Sequence, residues 1–575
     1  MPHDFEKPRI LFVTPEVAYL PEKMSAMPTF LRARAGELAD FSAALISSLY
    51  KKGVDIHVAL PDYRTLFKNN GHEPTWSIST QAQPTSKNGS NLVTYWNFNR
   101  NESSLCRSQL SEVRSRDRET RVHLANDRIF FNKEKIYSDF DQENIKNSLC
   151  FQREVINTII RRVQPDLIHC NDWMTGLIPA IARKLGIPCL FTIHNVYNNK
   201  ALLSHIEDRG IDAAYFWQNL FFEHQPLNYE ETRSSNPVDF LTSGIFAAHF
   251  VNTTCPEFLK EIIQGQHPLV TPSVKQELVN KVAQGYASGI SNSSDGSRLP
   301  KNDTALFKNY DEKNHIDGKK ANKIFIQNRL GLFKDPRKPI LFWPSCLDKV
   351  HSSSYFISTI LYAILSRKRH QNLQIIFAAR GTMRKLIKDT IRDFNLTNRV
   401  AVCNPEDSFL RVAYAASDFV LVPFAVEPVS SEDITGLLYG SLPIIHNNKD
   451  NHQAVTSLDV VHNSGNGFLF NQFDADSLMI AIDKAMMFYN LPREVKTHQI
   501  SRIMKQSHEM FDHAVTVEQY LLLYEKMLKR PVCESMGKKG DAIKWFNDSK
   551  EFGFFAQEGG GPDVFLHQSE TKKFG

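Results

Sequence analysis

Residues 422–445 read VPFAVEPVSSEDITGLLYGSLPII. An apolar run ends just before a single carboxylate, Glu427, and the residues behind it can wind into a helix that leads to a second apolar run. A strand, a helix and a further strand in this order form a βαβ unit, which builds parallel sheets. The stretch therefore predicts a parallel α/β fold with Glu427 at the end of a strand.

Strand-like apolar runs alternate with helical patterns in two series along the chain. The first series is RILFVTP (9–15), DIHVALP (55–61), DLIHC (166–170), CLFTIHN (189–195) and AAHFVNTT (247–254). The second is PILFWPS (339–345), QIIFAAR (374–380), RVAVCNP (399–405), DFVLVPF (418–424) and SLPIIHN (441–447). Because 575 residues exceed what one hydrophobic core usually organises, two doubly wound domains are predicted rather than one large sheet.

Changes in composition set the predicted domain boundaries. We expect a first Rossmann-like domain at 8–285, a polar connection at 286–335, a second Rossmann-like domain at 336–530, a linker at 531–540 and a separate tail at 541–575. A polar stretch at 80–91 is interpreted as a surface loop, and the pattern at 515–530 predicts a helix that closes the second domain.

The composition, with 42% hydrophobic and 23% charged residues, is that of an ordinary globular chain. The net charge of +5 is mild for this length and names no partner by itself. No apolar run reaches the length of a membrane helix and no apolar leader opens the chain, so a cytoplasmic protein without a membrane partner is expected. The eight cysteines form no C-x-x-C pair, which argues against a zinc site, and neither a metal nor a cofactor is expected.

In doubly wound sheets, ligands bind outside the carboxyl ends of the strands. The residues that follow the apolar runs are therefore the candidates for chemistry: the segments 32–45 and 171–177, the pair His194 and Asn195, and Glu427. Each has a plainer interpretation as well. Asp172 can serve as a helix cap, and His194 as a hydrogen-bonded histidine of the core.

Four of these strand-end motifs also carry a family resemblance. The motifs RILFVTPEVA (9–18) with RAGELAD (34–40), DLIHCNDWMTGLIPA (166–180), FTIHNV (191–196) and AVEPVSSEDITGLLYGSLPII (425–445) resemble the bacterial glycogen synthase and plant starch synthase family, over roughly residues 8–530. The resemblance implies the GT-B fold, in which two Rossmann-like domains face a cleft. It also implies a retaining transfer of glucose from ADP-glucose, or from UDP-glucose as the second choice of donor, to the non-reducing end of an α-1,4-glucan.

The resemblance assigns the sugar side of the cleft to motifs that this chain keeps. It implies catalytic roles for Asp172, His194 and Glu427, of which the carboxylate of Glu427 would accept hydrogen bonds from glucose hydroxyls. It places Trp173, Asn195 and Pro428 beside them as substrate-binding residues. The helix behind Glu427 is expected to hold the diphosphate at its start.

The diphosphate side departs from the family pattern. Arg34, Gly36, Lys349 and His351 are the candidate groups there, but Glu37 stands where the family has a glycine, Cys346 where it has an arginine and His351 where it has a lysine. Fixed cations that stabilise a leaving diphosphate often supply the largest catalytic contribution. The departures therefore predict low or altered activity, and the alternative is an inactive protein that binds glucan or nucleotide sugar.

The tail has a resemblance of its own. Residues 542–569 read AIKWFNDSKEFGFFAQEGGGPDVFLHQS and resemble the cold-shock domain, an OB-fold barrel that binds single-stranded RNA or DNA. The resemblance implies nucleic-acid contacts from Lys544, Trp545, Phe552, Phe554, Phe565 and His567, because aromatic rings stack on bases and lysines follow phosphates. The chain holds material for about three of the five strands of such a barrel, so a partial β tail is predicted. A marginally folded remnant is the alternative.

Overall fold

The computed structural model describes most of the chain but not all of it. The described residues are 7–21, 24, 33, 35–67, 121–133, 135–267, 269–292, 299–344, 372–379, 381–423, 431–447, 455–472, 474–533 and the strand backbones 542–547, 552–556 and 564–567. The predicted loop at 80–91 and most of the predicted linker at 531–540 lie outside these ranges.

A parallel sheet organises the first half of the described chain. Its strands are β1 (Arg9–Val13), β2 (Asp55–Pro61), β3 (Val122–Ala125), β4 (Leu167–Asn171), β5 (Cys189–Ile193), β8 (Phe250–Thr253) and β9 (Ala287–Gly289), and a small antiparallel ribbon pairs β6 (Lys200–Ala201) with β7 (Val238–Asp239). The order across the sheet is β3-β2-β1-β4-β5-β8-β9, with every pairing parallel. The chain direction across the sheet reverses between β1 and β4, which is where a doubly wound sheet opens a crevice for a ligand.

The central strands β4 and β5 are buried along their whole length, which indicates that helices cover both faces of this sheet. The helices are α1 (Glu37–Lys51), α2 (Arg64–Phe67), α3 (Asp141–Glu154), α4 (Ile160–Val163), α5 (Ile178–Leu185), α6 (Leu203–Glu207), α7 (Tyr229–Ser235), α8 (Phe240–Ala247), α9 (Pro256–Gln264) and α10 (Pro272–Ala283). A π-helical turn at Val155–Ile159 joins α3 to α4, and 3-10 turns lie at Arg128–Phe130, Trp173–Thr175, Ala213–Tyr215 and Trp217–Asn219.

A second parallel sheet organises the second half. Its strands are β10 (Ile340–Trp343), β11 (Gln374–Ala378), β12 (Val400–Cys403), β13 (Phe419–Val422), β14 (Leu442–His446) and β15 (Phe468–Phe470), in the order β12-β11-β10-β13-β14-β15. The helices of this half are α11 (His315–Leu330), α12 (Gly381–Asp393), α13 (Asp407–Ala416), α14 (Ser431–Leu438), α15 (Ala475–Tyr489) and α16 (Arg493–Met510). Here the order reverses between β10 and β13.

The ten predicted strands are confirmed, each within a few residues of its predicted bounds. The sequence pattern missed three short strands of the two large sheets, β3, β9 and β15. Strand β9 and the helix α11 both fall within the predicted connection 286–335, and they join different cores: Ile290 packs into the first, and Ile326 into the second.

The last long helix crosses from the second half of the chain to the first. Helix α17 (His513–Leu528) was predicted inside the second domain, but its residues Val517, Tyr520 and Tyr524 are buried in the core of the first sheet. Tyr520 accepts a hydrogen bond from Asn252 Nδ2 on β8 at 2.6 Å. The described core of the second half therefore ends before α17, and α17 links the two halves by packing against the first sheet.

Among the described helices, none combines the length and apolar character that crossing a bilayer requires. The described residues also contain no group of three or more histidine, cysteine, aspartate or glutamate side chains arranged to hold a metal ion.

The tail contributes a separate antiparallel sheet. Strands β16 (Ala542–Asn547), β17 (Phe552–Ala556) and β18 (Val564–His567) lie in this order. The predicted partial β tail thus has its three strands, while closure into an OB-fold barrel stays a prediction.

Candidate functional site

The carboxyl ends of β4 and β5 bring two predicted site residues together. Asp172 follows β4 and His194 follows β5, and Asp172 Oδ1 accepts the backbone N–H of His194 at 2.7 Å. Asp172 Oδ2 accepts the side-chain amide of Asn195 at 3.2 Å, so the carboxylate holds the start of the segment behind β5. Asp172 and His194 are both buried, with 4% and 6% of their surface exposed.

The backbone of Asp172 adopts a conformation that is rare for a residue with a side chain. Its φ is 57° and its ψ is 177°, a region populated almost entirely by glycine. Its carbonyl oxygen accepts the backbone N–H and the hydroxyl of Thr175, both at 3.0 Å, which fixes the turn. Strain of this kind persists only where the surroundings impose it, and it marks Asp172 as more than a helix cap.

The tautomer of His194 follows from its neighbour Asn171. The side-chain amide nitrogen of Asn171 donates to the carbonyl of Val13, so its oxygen is the atom that meets His194 Nε2 at 3.0 Å. Nε2 therefore carries the proton, and Nδ1 presents a lone pair. Nδ1 is buried without a hydrogen-bond partner, and burial lowers the pKa of His194 to about 3, so the ring is neutral.

A buried glutamate that the strand-end analysis passed over completes this site. Glu16 lies just behind β1, and its Oε2 accepts the backbone N–H groups of Ala35 at 2.5 Å and Gly36 at 3.1 Å. Its Oε1 accepts the hydroxyl of Tyr137 at 3.0 Å. Glu16 thus holds the start of α1 next to the end of β1. The rule that candidates follow strands would have selected Glu16, since it stands three residues after Val13.

Glu16 and Asp172 are both buried carboxyl groups, and the charge of Glu16 acts on Asp172. Burial raises the pKa of both, the nearby charge of Glu16 raises the pKa of Asp172 further, and the N–H donors of His194 and Asn195 oppose the rise. The pKa of Asp172 is about 7 as a result. Tyr137 lies within the field of both carboxylates, which with burial raises its own pKa well above 10.

Trp173 and Gly176 serve the packing behind the site. The Trp173 ring is 3% exposed and stacks on Phe240 with a centroid distance of 6.2 Å. A Cβ at Gly176 would lie 2.0 Å from the carbonyl oxygen of Phe240, so only glycine fits there. The predicted substrate contact of Trp173 stays a prediction, and Asn195 is engaged with Asp172 and with the N–H of Tyr197 at 2.9 Å.

Gly36 lies at the start of α1, and its predicted role in binding the diphosphate stays a prediction. It is exposed and extended, with a φ of −151°, and its N–H is directed to Glu16. A Cβ there would meet no other atom within 4 Å, so this glycine is not required by packing.

The remaining predicted residues of the cleft lie outside the described part of the chain. These are Arg34, Lys349, His351, Glu427 and Pro428, together with Cys346. The described elements fix what precedes and follows them: β10 ends at Trp343, β13 ends at Val422, and these two strands pair. Their roles stay predictions.

The helix behind Glu427 is anchored at its far end. Helix α14 ends at a turn in which Gly440 has a φ of 65°, and buried Lys319 donates to the carbonyl of Tyr439 and the hydroxyl of Ser441, both at 2.9 Å. Burial lowers the pKa of Lys319 to about 7. These bonds satisfy the backbone carbonyl behind α14, so Lys319 supports the fold of the second half.

The register of the tail sheet groups the predicted nucleic-acid residues. Trp545, Phe554 and Phe565 occupy one row across the three strands, and Asn547, Phe552 and His567 occupy the row two residues away. Rows two residues apart share a face of the sheet. Lys544 is the extra residue where the register shifts between Ile543 and Trp545. Five of the six predicted residues thus share one face.

Comparison with known proteins agrees with this arrangement. A starch synthase catalytic domain matches residues 9–271, the part of the chain that carries Glu16, Asp172 and His194, and a cold-shock DNA-binding domain matches residues 540–575. The first half of the chain is thus similar to a starch synthase catalytic domain. Glycogen synthase of Clostridium botulinum (strain Eklund 17B / Type B) is 24% identical over 518 residues, which cover 86% of this chain and 97% of that relative. Glycogen synthase 2 of Geobacter metallireducens is 26% identical over 475 residues, which cover 80% and 89%.

Solved structures show the same fold for this starch synthase-like chain. The catalytic domain of starch synthase IV from Arabidopsis thaliana, bound to ADP and acarbose, superposes with a TM-score of 0.68 at 19% identity and covers 91% of this chain and 100% of its own. Sucrose-phosphate synthase from Thermosynechococcus elongatus gives 0.52 at 14% identity, with 91% and 100% covered. The two parallel-sheet domains therefore have the GT-B fold. The family match and the glycogen synthases that align over most of the chain make it a glycogen synthase-like glycosyltransferase.

Proposed function

We propose that this glycogen synthase-like glycosyltransferase moves glucose from ADP-glucose to the non-reducing end of an α-1,4-glucan, with retention at the anomeric carbon. The observation that carries the proposal is the buried unit of Asp172 and His194 at the carboxyl ends of β4 and β5. This unit lies where a doubly wound sheet binds its ligand.

The unit suits a neutral sugar better than a phosphate. His194 offers the lone pair of Nδ1, which lacks a partner in the described structure, and a buried acceptor without a partner costs about 1–3 kcal/mol. A glucose hydroxyl that donates to Nδ1 would remove this cost. Because the ring of His194 is neutral, it would offer a phosphate group no positive charge.

In this proposal, Glu427 and Pro428, which follow β13, hold the glucose. The diphosphate meets Arg34, which precedes α1 in the first half, and Lys349 and His351, which follow β10 in the second half. Cys346 and His351 stand where the related enzymes carry an arginine and a lysine, and losing one donor to a developing anion costs on the order of a hundredfold in rate. We therefore expect turnover to be slow with ADP-glucose, and UDP-glucose is the second donor to test.

A transfer assay tests the proposal. Purified protein is incubated with labelled ADP-glucose, or with labelled UDP-glucose, and a glycogen primer, and labelled polymer is measured. We expect incorporation that falls at least about tenfold in His194→Asn and in Glu427→Ala, since each removes a contact to the reacting sugar. His462→Ala, which changes an exposed histidine of the second half, serves as the matched control and should match the unchanged protein.

Absence of incorporation above the Glu427→Ala level with both donors would contradict the proposal. It would favour the alternative predicted from the departures on the diphosphate side, an inactive protein that binds glucan or nucleotide sugar. The comparisons give that alternative no support, since the relatives that align over most of the chain are named glycogen synthases.

A second function concerns the tail, and the register of its sheet favours it. Trp545, Phe554 and Phe565 form one row and Phe552 and His567 belong to the next row on the same face, which would give single-stranded RNA or DNA a stacking surface. The test is a gel shift with a single-stranded oligonucleotide. Replacing Trp545 and Phe554 by leucine should weaken binding by about tenfold, since each stacked base is worth roughly 1–3 kcal/mol.

The matched control uses the aromatics of the other face. Phe546 and Phe555 occupy the alternate rows, and their replacement by leucine removes two rings from the same strands. Equal losses of binding in the two double variants would mean that the face with Trp545 is not the binding surface.

The cytoplasmic location predicted from the sequence is part of the proposal.

A further inference from the structure

We propose that a surface groove between α3 and α6 binds the α-1,4-glucan acceptor at a distance from the transferred glucose. The groove has a volume of about 1020 Å³ and its lining includes Phe140, Asp141, Ile145, Lys200, His205 and Arg209. Pockets that hold small organic ligands measure about 300–1,000 Å³, so the space suffices for several sugar units. The inference rests on the proposed function, because it assigns the site to the acceptor of that reaction.

The groove is connected to the site of Asp172 and His194 through two aromatic residues. Tyr197, three residues beyond His194, donates its hydroxyl to Asp141, which lines the groove. The Tyr197 ring makes an edge contact with Trp173, the residue after Asp172, at a centroid distance of 5.9 Å. Tyr197, which is 48% exposed, therefore joins the groove to the residues beside Asp172 and His194.

A set of hydrogen bonds fixes the backbone of the loop that carries Phe140. Ser138 N donates to Asn144 Oδ1 at 2.7 Å, Asn144 Nδ2 returns a bond to Ser138 O at 2.9 Å, and Ser138 Oγ donates to Glu143 at 2.6 Å. Phe140 N donates to Ser138 Oγ at 3.3 Å. The Phe140 side chain is nevertheless 74% exposed, at the beginning of α3. Because these bonds hold the backbone of the loop, the exposed ring offers a flat apolar surface to a ligand with little loop entropy to lose.

The inner end of the same loop touches the site. Tyr137, three residues before Phe140, donates to Glu16, which holds the start of α1. The loop thus runs from the transfer site to the groove, and both of its ends are fixed by hydrogen bonds.

The charges of the groove fit a neutral ligand with many hydroxyl groups. The lining places carboxylates, among them Asp141 and Asp208, next to cations, among them Lys200 and Arg209. Such a mixture offers neither a phosphate nor a polycation a surface of one sign. A sugar hydroxyl both donates and accepts, so it finds partners of either kind, while the apolar face of the ring can cover Phe140.

Calorimetric titration of the full chain with maltoheptaose and with maltotriose tests the proposal without requiring turnover. Phe140→Ala should weaken maltoheptaose binding by about tenfold, as truncation of an aromatic anchor does in other binding sites, and should change maltotriose binding much less. Phe140→Tyr, which keeps the ring, should bind maltoheptaose as the unchanged protein does. Phe307→Ala, an exposed phenylalanine of the second half with 65% exposure, is the matched control.

Three results would overturn the proposal: no maltoheptaose binding by the unchanged protein, equal binding by Phe140→Ala, or an equal loss in Phe307→Ala. The transfer assay is read separately. Failure to incorporate glucose, with maltoheptaose binding that depends on Phe140, would reject the proposed reaction and leave the groove as a glucan site. Normal incorporation, together with maltoheptaose binding that Phe140→Ala does not weaken, would reject the proposed groove site and leave the proposed reaction standing.

Discussion

The carboxylate of Asp172 accepts the backbone N–H of His194 at 2.7 Å and so joins the ends of two neighbouring strands. The residues stand 22 positions apart, but β4 and β5 pair in parallel, with Asn171 opposite Thr192. Both residues therefore emerge at the same edge of the sheet. The bond fixes the direction in which the chain leaves β5, and with it the position of the His194 ring.

The strained backbone of Asp172 gives a prediction about stability. Replacement by alanine and by glycine removes the same carboxylate, but only glycine adopts a φ of 57° with a ψ of 177° without strain. Asp172→Gly should therefore be more stable than Asp172→Ala by about 1 kcal/mol in chemical unfolding, after the larger unfolded-state entropy of glycine is included. A more stable alanine variant would show that the strain is absent.

Burial of Asp172 predicts a dependence of stability on pH. Its pKa rises from 3.8 to about 7, so between about pH 4 and pH 7 the unfolded chain has released this proton while the folded protein keeps it. Raising the pH through this window therefore favours unfolding. Asp172→Asn removes this titration. The melting temperature of the variant minus that of the unchanged protein should therefore rise from about pH 4.5 to about pH 7.5 and stay constant above that pH. A difference that does not vary with pH would contradict the shift.

Much of this site could be predicted from the sequence for a physical reason. Strands such as β4 and β5 are covered on both faces, so their sequences are largely apolar, and polar residues gather directly behind them. Asp172 and His194 were selected in this way. That they share one hydrogen bond follows only from the pairing of the two strands, which the pattern of apolar residues does not specify.

Glu16 and α17 show where sequence reasoning failed. The role of Glu16 depends on Ala35 and Tyr137, which lie 19 and 121 positions further along the chain. Helix α17 was predicted as a helix, but the core that buries Tyr520 depends on the path of the chain after α16. The strand-end rule would have selected Glu16, but its partners and the packing of α17 involve distant segments, for which local periodicity carries no signal.

Glu16 should act as a positioning residue for the start of α1. Glu16→Ala leaves the N–H groups of Ala35 and Gly36 and the hydroxyl of Tyr137 without their acceptor, so we expect a KM for the nucleotide sugar about tenfold higher. Glu16→Gln can direct its oxygen to the two N–H groups and its amide to the Tyr137 oxygen, so it should restore most of the affinity. If both variants change kcat and leave KM unaltered, the positioning role is wrong.

The contact between α17 and the first sheet is open to a single-atom test. Tyr524 and Thr192 lie on either side of buried His169, with Tyr524 Oη 2.7 Å from Nδ1 and Thr192 Oγ1 2.7 Å from Nε2. Tyr524→Phe leaves one ring nitrogen of His169 without its partner and should lower the free energy of unfolding by about 1–2 kcal/mol. Tyr286→Phe, at a half-exposed tyrosine directly before β9 of the same sheet, should have no measurable effect. Equal effects would mean that the hydroxyl of Tyr524 contributes nothing specific.

Gly176 should tolerate no side chain, whereas Gly36 should. A Cβ at Gly176 would lie 2.0 Å from the carbonyl oxygen of Phe240, at the point where the turn behind Asp172 meets the start of α8. Gly176→Ala must move one of these two backbones, and we expect a loss of about 3 kcal/mol in the free energy of unfolding, with lower activity because the turn carries Asp172. Gly36→Ala meets no atom within 4 Å and should cost less than about 1 kcal/mol, the typical cost of alanine at a helix N-cap. Unfolding curves of the two variants decide the matter, and a Gly176→Ala variant as stable as Gly36→Ala would show that α8 does not press on this turn.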